Sequence, residues 1–279
     1  MITNGYCTLA EFKAYITPPG QVLSTDAGDD IVIEDIVMRA SRRLDALTGR
    51  RFFPRVETRR FDTPPSDEMW LDDDLLEILT FTNGDAVAIT SADYVLKPTN
   101  EYPKYAIRLR DTATIYFTPT SASSYDEAIT LSAIWGYRER YSADGWVSGS
   151  TVDEVGNVSA AVLSFTAASG VPFTRGQIIR IDNELMQLSS VVTNELTVVA
   201  RGANGSTAAI HLDHAPIYYW QQQDDVAGLV LEIAKIMYRA RYGENVETTA
   251  FTTPAGVVIT PRSLPPWAQE IIGRYQRLI

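Results

Sequence analysis

Two histidines are the side chains of this sequence best suited to binding a metal, and they lie close together, as His211 and His214. A zinc site in a protein needs at least three protein ligands. The chain has no third histidine, and its single cysteine, Cys7, belongs to the N-terminal segment. We therefore expect the two imidazoles to make local hydrogen bonds around a turn, and we predict no metal site.

The segment from Arg201 to Thr207, RGANGST, has the glycines of a loop that cradles phosphate. A Walker loop also places a lysine before its Ser/Thr, and a long helix follows it. Here the lysine is missing, and the residues from Ala208 to His214 are too few for such a helix. The sequence therefore favours a structural turn.

Other groups that could do chemistry carry no diagnostic pattern. The three aspartates from Asp72 to Asp74 lack the alternating ligands and the glycine of a calcium loop, so we predict a solvated acidic turn. No Gly-x-Ser-x-Gly nucleophile elbow is present. Acidic pairs are frequent but without a diagnostic spacing, so a polysaccharide-acting enzyme stays open as an alternative. We predict a protein that is not an enzyme and that needs no cofactor.

Composition narrows the class of protein. The chain has 279 residues, 45% of them hydrophobic and 21% charged, which is typical of a globular protein with room for two domains. Its formal net charge of -11 repels a phosphate backbone, so a sequence-reading nucleic-acid binder is not expected. No run reaches the roughly 18 uninterrupted apolar residues of a membrane span. We expect no membrane partner and no classical export signal.

Basic charge is concentrated between Arg39 and Arg60, where eight arginines stand against Asp45 and Glu57. This segment has a local charge of +6, which leaves -17 for the rest of the chain. Basic and acidic faces on one chain permit head-to-tail contacts between copies. The arginines that we predict for contacts between subunits are Arg39, Arg42, Arg43, Arg50 and Arg51.

Caps and apolar spacing predict three helices before residue 243. The first begins at Thr8, which can form a capping box with Glu11, and ends before Pro18. The second runs from Asp29 to Gly49 and the third from Gln223 to Tyr242, each with one apolar stripe at helical spacing. Because both stripes must be buried, we predict that the second and third helices pack on each other.

The segments between the helices have β-type patterns. Short apolar runs divided by turns fill residues 51–137. Residues 142–220 hold seven of the 17 glycines and further strand-like runs. We predict a small all-β domain at 142–220, inserted into a parent domain that comprises residues 1–141 and 221–279.

Several parent segments, taken in order, resemble the head-tail connector (adaptor) proteins of tailed bacteriophages. These segments are the opening helix YCTLAEFK (6–13), residues 33–51 with RRLDALTGRR, the strand 129–137 that ends in Trp-Gly-Tyr, and the helix 224–242 with its Arg-rich end, a loop and a short final helix. Together they cover about two thirds of the chain. The insert is similar to small β modules of phage structural proteins through residues 176–186, 196–202 and 204–209.

The resemblance implies a fold and a role. The fold is α+β, a helical bundle with a β-rich section plus the inserted small all-β domain. The role is a structural protein of the virion neck, assembled in the host cytoplasm as a ring of about twelve copies. The implied partners are the portal protein, a downstream neck or tail protein, and duplex DNA that passes without specific binding. Another virion part, such as a neck stopper or baseplate component, is the alternative.

The C-terminal segment combines a Thr-, Val- and Pro-rich arm, 248–261, with a short amphipathic helix that opens at Pro265-Pro266. We predict that this helix docks on the portal ring, because its apolar face needs a partner surface. The residues assigned to that contact are Trp267, Ile271, Arg274, Tyr275, Arg277 and Leu278. The alternative is that the helix closes the subunit's own core.

Overall fold

Two antiparallel sheets and a layer of four helices make up most of the described chain in the computed structural model, which describes residues 2–21, 27–241, 251–252, 258–259 and 264–277. The helices are α1 (Leu9–Ile16), α2 (Ala27–Thr48), α3 (Asp224–Arg241) and α4 (Pro266–Tyr275). The strands are β1 (Arg55–Phe61), β2 (Glu68–Thr82), β3 (Tyr94–Lys97), β4 (Lys104–Leu109), β5 (Ile129–Trp135), β6 (Trp146–Thr151), β7 (Ser164–Thr166), β8 (Ile178–Ile181), β9 (Glu184–Val192), β10 (Glu195–Val198), β11 (Pro216–Trp220), β12 (Phe251–Thr252) and β13 (Val258–Ile259).

The predicted helical bundle with a small inserted β module is wrong. The protein is mostly β, with 30% strand against 26% helix, and its two main sheets have five and six strands. A single apolar stripe on a helix can be buried against a sheet as well as against other helices, so the stripes did not distinguish the two architectures. Within the described ranges, no helix is long and apolar enough to cross a membrane.

The first sheet has the strand order β1-β5-β2-β4-β3, and all neighbouring strands are antiparallel. Trp135, at the end of β5, lies opposite Arg55 on one side and Leu75 on the other. One hydrophobic cluster, which includes Leu75 and Trp135, belongs to this sheet and the loops that cover it. Leu76 and Ile134 belong instead to the cluster of the helices, so the sheet has a buried residue set on each face.

The helices share that second cluster. The predicted capping box at the start of α1 is confirmed, since the Thr8 hydroxyl accepts a hydrogen bond from the Glu11 amide and the Glu11 carboxylate accepts one from the Thr8 amide. The predicted contact of α2 with α3 is also confirmed. Val37 and Leu44 of α2 are fully buried in the same cluster as Leu229 of α3.

The second sheet, with the order β6-β11-β8-β9-β10-β7, has a core of its own. Every member of its buried cluster falls between Val152 and Ile217. Its two edge strands meet at a bridge between Val152 and Ala167, so the sheet curls back on itself. The first and last strands, β6 and β11, pair with each other, and Trp146 lies opposite Trp220. The boundaries 142–220 and independent folding of this segment stay predictions.

Polar contacts connect the second sheet to the rest of the chain. Arg180 of β8 forms a bidentate pair with Glu77 of β2, at 2.7 and 3.0 Å, and the Tyr141 hydroxyl donates to the same carboxylate at 2.7 Å. Gly205 lies so close to β1 that a Cβ there would be 2.2 Å from the Val56 carbonyl oxygen. A positive φ of 81° also favours glycine at this position. These contacts fix the second sheet against both β1 and β2.

The different burial of two leucines in α2 predicts that their replacement by alanine lowers the free energy of unfolding by different amounts. Leu44 is fully buried in the helix cluster, whereas Leu47 is 37% exposed. Leu44→Ala should lower the free energy of unfolding by about 2 to 5 kcal/mol through cavity formation. Leu47→Ala, the control, should lower it by about 1 kcal/mol or less. Chemical denaturation of both variants measures the difference, and equal midpoints would contradict this packing.

Candidate functional site

The aspartates at 72–74 do not form the predicted solvated turn. They lie within strand β2, where strand β1 and the end of α2 bring arginines to them, although β5 separates β1 from β2 in the sheet. Arg59 pairs with Asp72 at 2.7 Å and with Asp73 at 2.8 Å, and Arg55 pairs with Asp73. Burial by itself would raise the pKa of Asp73, but the charge of Arg55 and further hydrogen bonds lower it. Much of the basic segment is therefore neutralised inside the chain.

Arg50 occupies the centre of this arrangement. Its Nη1 lies 2.5 Å from Asp74 Oδ1, and its Nε donates to the carbonyl oxygen of Tyr275 at 2.8 Å. The guanidinium also stacks over the ring of Tyr137, 4.4 Å from the ring centre. Burial raises the pKa of Asp74, although the charge of Arg50 opposes the rise. Arg50, which we predicted for a subunit contact, thus lies in the interior and joins the end of α2 to β2 and α4.

The other four arginines predicted for subunit contacts lie nearer the surface. Arg39 and Arg42 pair with carboxylates of their own helix, at 2.7 and 3.1 Å. Arg43 and Arg51 are exposed, and neither makes an ion pair with a carboxylate of the described residues. Arg39 and Arg42 are exposed as well, so Arg43 and Arg51 are distinguished by having no carboxylate partner among the described residues.

Helix α4 turns its inner face to the chain's own core. Tyr275 is fully buried, and its ring lies 5.6 Å from that of Phe52 and 5.3 Å from that of Tyr137. The Tyr275 hydroxyl donates to Asp225 at 2.5 Å and accepts from the Gln223 amide at 3.1 Å. Burial and the neighbouring Asp225 raise the pKa of Tyr275. This tyrosine is therefore a core residue that holds α4 to the start of α3.

The remaining residues predicted for the portal contact divide between the two faces of α4. Ile271 packs against the helix cluster, and Arg277 is partly buried near Asp73. Trp267 is 44% exposed, and the Arg274 side chain is 55% exposed while it pairs with Asp225 at 2.8 Å. Leu278 lies outside the described residues. Trp267 and Arg274 thus form the accessible outer face of α4.

His211 makes hydrogen bonds, but its partners belong to another turn. The imidazole is fully buried, with Nδ1 2.8 Å from Asp182 and Nε2 2.8 Å from Glu184, both at the β8–β9 turn. Glu184 also receives two hydrogen bonds from Arg201, at 2.7 and 2.8 Å. His214 stays exposed. In the described part of the chain, no group of three or more His, Cys, Asp or Glu side chains is placed to hold a metal ion.

The glycine loop that follows Arg201 surrounds a carboxylate of the same chain. The Gly202 and Ala209 amides donate to the two Glu184 oxygens, at 2.8 and 2.9 Å. The structure thus places an internal anion where a phosphate-binding loop would hold its ligand. This agrees with a structural turn, and the sequence alone could not identify the anion because Glu184 precedes the loop by 18 residues.

No family model matches the chain, and no curated protein matches it significantly.

Replacement of the two aromatic residues of α4 should change the free energy of unfolding by very different amounts. Tyr275→Ala should lower the free energy of unfolding by about 3 to 5 kcal/mol, because it removes a buried ring and its hydrogen bonds. Trp267→Ala, on the exposed side of the same helix, should change it by about 1 kcal/mol or less. Urea unfolding curves measure both, and an unchanged stability of Tyr275→Ala would show that α4 does not close the core.

The lowered pKa of Glu184 predicts that the protein loses stability in acid. Burial opposes ionisation, but the Arg201 hydrogen bonds and two backbone amides lower the pKa of Glu184 from 4.5 to about 2. Because the carboxyl of Glu184 has a lower pKa in the folded state than in the unfolded state, its ionisation stabilises the fold. This contribution, on the order of 3 kcal/mol, is fully present above pH 4.5 and is lost as the pH falls towards 2. Glu184→Gln should reduce the acid dependence of unfolding, whereas exposed Glu195→Gln should keep it. Equal pH profiles for wild type and Glu184→Gln would refute this role.

Proposed function

We propose that this chain is a head-tail connector subunit of a tailed bacteriophage. About twelve copies form a ring below the portal, in the neck of the virion, and join the DNA-filled head to the tail. The ring binds the portal protein on one side and a downstream neck or tail protein on the other. The proposal starts from the ordered resemblance of the parent segments to the connector family.

The observation that carries the proposal is the shared core of the two parent segments. Residues on both sides of the insert, such as Phe52 and Tyr137 before it and Val226 and Tyr275 after it, belong to one buried cluster. The segments that carry the resemblance therefore fold together, although 79 residues separate the two parts in the predicted division. The same cluster also includes Ile178 and Trp220 of the predicted insert, so in the proposed subunit the insert packs against the parent core.

Two accessible surfaces suit contacts with other chains. The outer face of α4 presents Trp267 and Arg274, a combination of a large aromatic residue and an arginine that is enriched at interface hot spots. We assign this face to the portal. Arg43 and Arg51, exposed near the end of α2, are assigned to the neighbouring subunit, where a carboxylate can bind each guanidinium bidentately.

The charge of the chain fits a passage for DNA. A formal net charge of -11 disfavours tight binding of a phosphate backbone. Duplex DNA that moves through a ring must not adhere to its wall. The proposal therefore assigns acidic surface to the lumen and basic side chains to contacts between proteins.

The decisive experiment measures the mass and symmetry of the purified chain, alone and with the portal ring of the same phage. Mass photometry and electron microscopy should detect a closed ring of about twelve copies that stacks coaxially on the portal. A chain that stays monomeric and does not bind the portal would refute the proposal. Release of sugars from host polysaccharide by the pure chain would instead favour the enzymatic alternative.

Matched variants identify the portal surface. Trp267→Ala should weaken portal binding at least tenfold while the subunit stays folded. Tyr116→Ala is the control, because Tyr116 is a 75% exposed aromatic residue of the first sheet's covering loop. Equal loss in both variants, or no loss in the α4 variant, would show that the portal contact lies elsewhere.

A further inference from the structure

Arg138 is a buried cation without a carboxylate. Arg138 is only 6% exposed, and no carboxylate oxygen of the described residues lies within 4.0 Å of its guanidinium. Its Nη2 donates to the backbone carbonyl of Asp144 at 2.9 Å, whereas its buried Nε has no partner at all. Burial lowers the pKa of Arg138, which the nearby acidic residues only partly offset. A buried charge in this state is costly unless an anion joins it.

Other buried cations of the described chain have their partners. Arg55, which is 9% exposed, pairs with Asp73. Lys104, which is 3% exposed, donates to two backbone carbonyls. Lys104, like Arg138, has no carboxylate partner among the described residues, and Nη1 of Arg55 is also buried without a partner. Arg138 differs from both because the Asp144 carbonyl oxygen is the single acceptor of its guanidinium among the described residues.

The acidic side chains around Arg138 are engaged elsewhere. Asp144 pairs with Arg140 at 3.2 Å. Asp225 accepts from the Tyr275 hydroxyl and from Arg274, and Glu139 accepts from the Tyr137 hydroxyl. Asp224 is exposed and lies beyond ion-pair distance. Three of these four carboxylates are thus engaged and Asp224 does not pair with Arg138, so a carboxylate from outside the chain would be its first ion-pair partner among the described residues.

Arg138 lines a cleft that is built to receive such a group. The cleft, about 310 Å³ in volume, lies between the segment 138–147 and the start of α3. Gln222 lines it as well, and its buried Nε2 is a second donor without a partner. The cleft also reaches Asp224, the first residue of α3, at the positive end of that helix. Arg138 and Gln222 thus both line a cleft at the start of α3.

We propose that this cleft binds a single carboxylate group, held by Arg138 and Gln222 at the N-terminus of α3. A monoanion fits better than a phosphate dianion, because Glu139, Asp144 and Asp224 also line the cleft and repel excess negative charge. The carboxylate belongs either to an acidic side chain of a second protein chain or to a free organic acid. The inference does not rest on the connector function.

Titration of the full chain, labelled with 15N-arginine, tests the proposal. The Arg138 Nε–H resonance is assigned by its loss in Arg138→Lys, and sodium acetate is added at constant ionic strength. The resonance should shift saturably with acetate, and not with neutral acetamide or with sodium chloride. Inorganic phosphate should bind more weakly than acetate. No saturable shift with acetate, an equal shift with acetamide, or tighter binding of phosphate would overturn the proposal.

Variants separate the site from the general charge of the protein. Gln222→Glu keeps the oxygen that accepts from the Trp220 indole but adds a negative charge, so it should weaken acetate binding at least tenfold. Arg110→Gln, which removes an exposed arginine that does not line the cleft, should leave acetate binding unchanged. Unchanged binding in Gln222→Glu with a retained fold would contradict the assignment.

The source of the carboxylate is identified by sedimentation of concentrated chain with and without acetate. Dissociation of assemblies by acetate but not by chloride assigns the cleft to an acidic side chain of a second copy. Assemblies that persist while acetate binds assign it to a free organic acid. Both outcomes support the carboxylate site, and both are independent of portal binding.

Discussion

The first and last strands of the second sheet pair with each other, and much of the remaining structure depends on this contact. Because β6 and β11 run antiparallel with Trp146 opposite Trp220, the chain leaves the module beside the point where it entered. The first residues of α3 therefore begin next to the segment that follows β5, and α3 can pack on α2. The helix cluster combines residues before β6 with residues after β11, and it also includes Ile178 of β8 and Trp220 of β11. The second sheet has a separate buried cluster between Val152 and Ile217.

Buried charges determine where the elements join. Arg50 holds the end of α2, strand β2 and the end of α4 through Asp74 and the Tyr275 carbonyl. Arg175 of the module pairs with Glu34 of α2, whose side chain is 3% exposed. Such pairs gain little net stability over apolar contacts, since desolvation opposes their attraction, but removal of one partner is strongly destabilising. We infer that they select one arrangement of the parts, while the apolar clusters supply most of the stability.

Local patterns predicted the local structure. The capping box at Thr8, the apolar stripe of α2 and most of the strand-like runs are encoded within a few residues, and they formed as expected. The run 114–117 is an exception, because it forms no strand. Long-range pairing was not predictable in the same way. Asp72 to Asp74 read as an exposed turn because nothing near them in the sequence reveals that β1 brings Arg55 and Arg59 alongside. A single helix such as α4 is likewise ambiguous, because an amphipathic stripe fits either its own core or a partner.

The distribution of arginine changes what a ring contact would require. The basic segment suggested an electrostatic interface, yet internal aspartates neutralise Arg50, Arg55 and Arg59. A charge already paired inside a subunit adds little attraction across an interface, because the partner would have to displace its existing carboxylate. In the proposed assembly, contacts between subunits therefore depend on the few accessible cations, and the portal contact depends on an exposed aromatic side chain, Trp267. An interface of that kind is less sensitive to salt than a purely ionic one, since screening weakens charge pairs but not apolar burial.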